Sequence, residues 1–291
     1  MKLKLLICST MLALTAMSAE AGNFQTLTNG NGTNVSAALG GFVQGSNNQN
    51  ADRLYIETVS ATYVSGYDDI STSFADGGTG DIVASSINYR TFSAGVTLST
   101  GTLTLLDWQV TRGVDLAPGS AQADIFDFVY RDSADNTLVF GTRYLNREDN
   151  SEEANYLYRY GFTGYNTAAA WTYSSDYDLR MYQAAKTDST AGGSVFALSE
   201  GTVRQMGDFS LTEENPWSGL FLVKTDATAY TLGAKAIGFY QAGEEGQDPA
   251  GGFIGGFVPT TVTPVPEPEN LALMMLGLGV IAAARRQKKQ A

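Results

Sequence analysis

The sequence of 291 residues has no histidine and one cysteine, Cys8, which lies in an apolar stretch near the N-terminus. Intramolecular disulfides, Cys/His zinc centres and a Ser-His-Asp triad are thereby excluded, since each needs side chains that are absent. Basic residues are also few, 18 Lys and Arg against 30 Asp and Glu, for a net charge of -12. Nucleic acid is a poor partner for such a chain, because that affinity rests on cations neutralising phosphates. Without imidazole, any general base must be a carboxylate, a tyrosine or a lysine. The length suits one large domain or two small ones, enough for a sizeable core.

Residues 1–21 read as a secretory signal peptide. Lys2 and Lys4 supply the charged start, an uncharged and largely apolar run follows over 5–16, and Ala19-Glu20-Ala21 offers small residues where a signal peptidase reads. Cleavage is expected between Ala21 and Gly22, leaving a mature chain without Cys or His.

A second three-part signal spans 265–291. Val265-Pro266-Glu267-Pro268-Glu269 is stiff and polar, because proline fixes φ and removes an amide donor. An uncharged apolar stretch follows over 271–284, and then the cations Arg285, Arg286, Lys288 and Lys289. As a helix the stretch would reach roughly 21 Å, short of the ~30 Å hydrocarbon core. It can still insert if the terminal cations snorkel to the interface, and they would then stay cytoplasmic.

Pro266-Glu267-Pro268, the short apolar segment and the basic cluster together resemble the PEP-CTERM sorting signal of Gram-negative bacteria. The resemblance implies recognition by an inner-membrane exosortase, cleavage near the Pro-Glu-Pro element and transfer outward. It also implies a producer that makes exopolysaccharide and grows as biofilm. It covers only the tail, and the family of the central body is not recognised.

Setting aside Lys2, Lys4 and the four terminal cations leaves 12 basic residues in the body; setting aside Glu20, Glu267 and Glu269 leaves 27 acidic ones, about -15 net. Apolar residues mostly alternate. Phe126, Phe128 and Tyr130 form one such series; Leu138, Phe140 and Tyr144 another; Tyr156, Tyr158, Tyr160 and Phe162 a third. This period of two places every second side chain on one face of a sheet. About 10–14 short strands separated by Gly, Asn and Asp turns predict an all-β body over 22–243, an antiparallel sandwich of jelly-roll type. Short helices are expected near 152–155 or 179–185. Residues 244–264, rich in Gly, Pro and Thr, read as a linker to the tail.

Three features could carry chemistry. Acidic turns could bind calcium, which takes six to eight oxygen ligands; the first choice is Asp132, Asp135 and Asn136, although no calcium motif is matched and solvated loops are the plainer reading. Asp107 and Asp127, within strands, are candidates for the carboxylate pair of a glycosidase. The tyrosines of 156–182 could form a platform for sugar rings, or else sheet core, in which case Arg159 would face water. The reading that joins these features is a non-enzymatic cell-surface or matrix protein with no catalytic residues and no required cofactor. The exosortase and inner membrane are its sorting partners, and exopolysaccharide is its possible neighbour. The alternatives are a secreted carbohydrate-active enzyme using a carboxylate pair and a calcium-dependent adhesin.

Overall fold

The computed structural model describes residues 24–27, 34–35, 54–67, 80–93, 96–115, 122–146, 154–172, 181–187, 201–209, 217–241 and 250–261. Among them are fourteen strands and no helix. They are β1 (Gln25–Leu27), β2 (Asn34–Val35), β3 (Tyr55–Tyr63), β4 (Asp81–Ser93), β5 (Val96–Asp115), β6 (Gln122–Asp132) and β7 (Leu138–Asn146). The series continues with β8 (Ala154–Arg159), β9 (Thr167–Thr172), β10 (Met181–Thr187), β11 (Thr202–Phe209), β12 (Leu220–Thr225), β13 (Ala229–Gln241) and β14 (Ala250–Thr260). The described parts of both expected helical segments are strand: β8 begins at Ala154 and β10 at Met181, and residues 152–153 and 179–180 lie outside the described residues. The segment 1–21 expected as a signal peptide and the tail 265–291 lie outside the described residues. Among those described, no helix is long and apolar enough to cross a membrane.

Two antiparallel sheets result. The larger runs β1-β9-β12-β7-β6-β5-β4-β3, and the smaller β14-β13-β8-β11-β10-β2. β3 to β7 form a meander; beyond β7 the chain crosses between sheets at every connection except β10–β11 and β13–β14. Cross-sheet packing buries Ile125, Val129, Phe140, Trp171 and Val223 of the larger sheet against Leu157, Val203, Ile237, Phe239 and Phe257 of the smaller.

The larger sheet is also buried on its other face, because it curls. Leu54 N–H, just before β3, donates to Trp171 O of β9 at 3.1 Å, and the Thr172 hydroxyl donates to Leu54 O at 3.2 Å. One edge is thereby brought to the neighbour of the opposite edge strand. The concave side holds a second core of Tyr67, Ile87, Tyr89, Leu103, Phe126, Phe128, Tyr130 and Leu222. β6 is therefore buried on both faces from Ala123 to Tyr130, and the two aspartates that interrupt its apolar residues, Asp124 and Asp127, are buried with them.

Within the stretch 244–264 expected as a linker, Ala250–Thr260 form the strand β14, and residues 244–249 and 262–264 lie outside the described residues. The glycines of β14 are the reason it resembles a loop in composition, and packing is the reason it is a strand. A Cβ at Gly252 would stand 2.7 Å from the Phe239 ring, and one at Gly256 would stand 2.5 Å from Asp127 Oδ2. Bulk is excluded there because neighbouring side chains fill the space, while Phe257 supplies the buried apolar contact. Gly201 has a different role. With φ at +74° and Thr163 N only 2.2 Å from where its Cβ would be, it occupies a left-handed turn that only glycine fits.

Candidate functional site

The strand carboxylates are engaged inside the protein. Asp127 lies on the face of β6 that meets the smaller sheet. Its Oδ1 receives Arg159 Nη1 at 2.5 Å, and its Oδ2 receives the Phe257 N–H at 2.6 Å and Gln109 Nε2 at 3.3 Å. Arg159 also donates to Thr142 Oγ1 and Phe257 O, both at 2.9 Å. Burial pushes the Asp127 carboxyl above the usual range, and Arg159, Phe257 and Gln109 pull it back. Arg159 thus points between the sheets and not to water, and its 1 % exposure corrects the orientation expected from the tyrosine alternation. Asp107 is exposed on β5, beyond a register shift between Leu105 and Asp107, and accepts the Trp108 N–H at 2.9 Å. The two aspartates are therefore in different surroundings, one sealed and one solvated.

A second polar cluster lies on the concave side of the curled sheet. Asp132, the last residue of β6, is fully buried. It accepts Lys224 Nζ at 2.7 Å, the Tyr89 hydroxyl at 2.8 and 2.9 Å, and the Ala134 N–H at 3.0 Å. Lys224 Nζ also stands 2.7 Å from Asp135 Oδ2. Partial burial works to raise the Asp135 carboxyl, but Lys224 and Thr137 outweigh it and hold it below its ordinary value. The three residues chosen as cation ligands therefore surround an ammonium group in part: Asp132 and Asp135 both contact Lys224. Asn136 instead shapes the turn, with φ at 60° and its N–H donated to Asp132 O at 2.8 Å. Among the described residues, no group of three His, Cys, Asp or Glu side chains is placed to hold a metal ion. At the opposite end of β6, Tyr67 donates to Asp124 Oδ2 at 2.6 Å.

The tyrosines line the outer face of the smaller sheet. Tyr156 and Tyr158 have ring centroids 6.3 Å apart, Tyr158 and Tyr160 6.4 Å apart, and both pairs are stacked. Tyr240 adjoins Tyr156 at 5.8 Å, and Phe253 adjoins Tyr160 at 5.5 Å. Two cations border the row: Lys235 Nζ lies 3.7 Å from the Phe253 centroid, and the Arg204 guanidinium lies 5.7 Å from that of Tyr156. Tyr158 and Tyr160 are buried, whereas Tyr156 and Tyr240 are half-buried and Phe253 and Lys235 are exposed. Burial pushes the Tyr158 phenol up to about 12.

Residues 264–289 match the family model of the PEP-CTERM protein-sorting motif. The chain carries a PEP-CTERM sorting signal. Pro266, Glu267, Pro268 and the four cations Arg285, Arg286, Lys288 and Lys289 all fall within the match. The motif marks an exported protein that an exosortase sorts to the cell surface. No curated protein and no solved structure matches the chain.

Sequence reasoning missed the residues that organise the interior of this PEP-CTERM protein. Lys224 has one sequence signal, a cation that continues the apolar run Leu220-Phe221-Leu222-Val223. Tyr89 has none, since its aspartate partner is 43 positions away. Arg143, buried and 4.2 Å from the Trp217 ring, likewise depends on a residue far along the chain.

Proposed function

We propose that the body is a non-catalytic structural protein of the cell surface or extracellular matrix, whose outer aromatic face contacts exopolysaccharide. The observation that supports this reading is the row of Tyr156, Tyr158, Tyr160, Tyr240 and Phe253 on one sheet face, bordered by Arg204 and Lys235. Aromatic faces suit the C–H surfaces of sugar rings, and their hydroxyls suit sugar hydroxyls. The two cations offer local attraction for acidic sugars on a body that is otherwise anionic. The engagement of Asp127 by Arg159, and of Asp132 by Lys224, favours a structural role for these carboxylates over acid–base work.

In this reading the producer is a Gram-negative bacterium. The apolar segment 271–284 holds the protein in the inner membrane until the exosortase acts. The test is retention of the purified protein on a column of the producer's own polysaccharide, with and without calcium, and with the eluate assayed for released reducing ends. Calcium-independent retention without sugar release is expected. Release of sugar would instead point to a carbohydrate-active enzyme, and retention only with calcium would point to an adhesin. No retention at all would remove the polysaccharide contact.

A further inference from the structure

We propose that Lys224 and Asp132 become joined by an intramolecular isopeptide bond, a covalent staple between β12 and β6. The reacting groups are already in contact, with Nζ 2.7 Å from Oδ2. Their side chains are 10 % and 0 % exposed, and the Phe24 ring lies 5.2 Å from Nζ. A buried ion pair is costly to keep charged. Passing one proton from Nζ to the carboxylate yields a neutral amine beside a neutral acid, which are the reactive forms for amide formation. Holding them in contact replaces a collision between two reactants with a step inside one folded molecule.

The neighbouring groups supply the remaining requirements. Asp135 Oδ2, 2.7 Å from Nζ, can accept the proton that the nitrogen loses as it attacks Cγ of Asp132. Its other oxygen is held by the Thr137 hydroxyl at 2.7 Å and the Thr137 N–H at 3.2 Å, so its position is fixed. The Tyr89 hydroxyl and the Ala134 N–H donate to the Asp132 oxygens and can stabilise the negative charge that develops there. Asp135 then returns the proton to the departing hydroxyl. The Nζ–Cγ bond forms, the Cγ–O bond breaks, one water leaves, and nothing is oxidised or reduced. Asp132 is the acyl donor because it is the sealed one; Asp135 is 37 % exposed and suits proton transfer.

The topology gives the bond a use. β7 lies between β6 and β12 in the larger sheet, so the staple spans a strand and ties residues 92 positions apart. A chain with a single cysteine cannot close such a loop with an intramolecular disulfide.

The experiment is tryptic digestion of the unfolded full-length protein followed by mass spectrometry. Acylated Lys224 resists trypsin, so residues 205–235 should remain in one piece, linked to residues 132–143, at the summed mass less one water. Fragmentation should place the link at Asp132. Lys224→Arg should give only unlinked peptides. Asp135→Asn should retain the β-sheet circular dichroism of the parent with the link lost or slowed. Recovery of free 132–143 and of a peptide ending at Lys224 as the main wild-type products would overturn the proposal, as would a link located at Asp135.

Discussion

Arg159 Nη1 meets Asp127 Oδ1 at 2.5 Å between the two sheets, with both side chains almost wholly buried. Removing one partner leaves the other charge uncompensated in a dry site, which typically costs about 3–5 kcal/mol. Asp127→Ala should therefore lower unfolding stability by that amount in a urea titration. Asp127→Leu combined with Arg159→Met should recover most of the loss, because no charge is then stranded. Purely additive losses would show that the two side chains are not coupled.

Alkaline pH should weaken the fold. Burial, first of all, raises the phenols of Tyr89, Tyr130, Tyr158 and Tyr160 above the ordinary value of 10.0. Between 10.0 and the folded value, about 12 for Tyr158, the unfolded chain ionises while the folded one does not. The stability linked to these groups is thus complete below 10.0 and is lost as pH rises through the folded values. Melting temperature should fall steadily above that point, and tyrosinate absorbance should lag and then rise together with unfolding. Complete tyrosine ionisation near pH 10 with the sheets intact would contradict the burial.

Gly252→Val tests whether β14 is a strand of the body. The new side chain would collide with the Phe239 ring, whose Cζ lies 2.7 Å from the Cβ position. Overpacking of this kind costs about 1–3 kcal/mol, readable as a lower midpoint in thermal or chemical unfolding. A linker would tolerate the same change without effect.

If the outer aromatic face contacts polysaccharide, its accessible members should matter most. Tyr240→Ala or Phe253→Ala should each weaken retention by roughly 2- to 10-fold, from about 0.5–1.5 kcal/mol per aromatic contact. Circular dichroism should remain that of the parent. Equal retention of both variants and the wild type would place the contact elsewhere.

Much of the architecture is legible in the residue pattern. The alternations at 126–130, 138–144 and 156–160 correspond to β6, β7 and β8, because a period of two belongs to strands. The direction in which each face points is not legible. Tyr156, Tyr158 and Tyr160 look like core and Arg159 like surface, yet the partners that draw Arg159 inward are Asp127, Thr142 and Phe257, the last 98 positions away. Composition also misleads at β14, where Gly252 and Gly256 lower strand propensity but make room for Phe239 and Asp127. Asp132 and Asp135 are visible as acidic turn residues, but the lysine between them is not. Only the folded sheet brings Lys224 to them.

The most direct test of the account is the length of the protein recovered at the surface of its native cells. Peptide mapping there should give a first residue at Gly22 and a C-terminus near Pro266 to Pro268, with the apolar segment 271–284 and the four terminal cations missing. The same tail should persist, membrane-bound, in cells lacking the exosortase. Surface protein that retains residues 271–289 intact would contradict sorting by this signal.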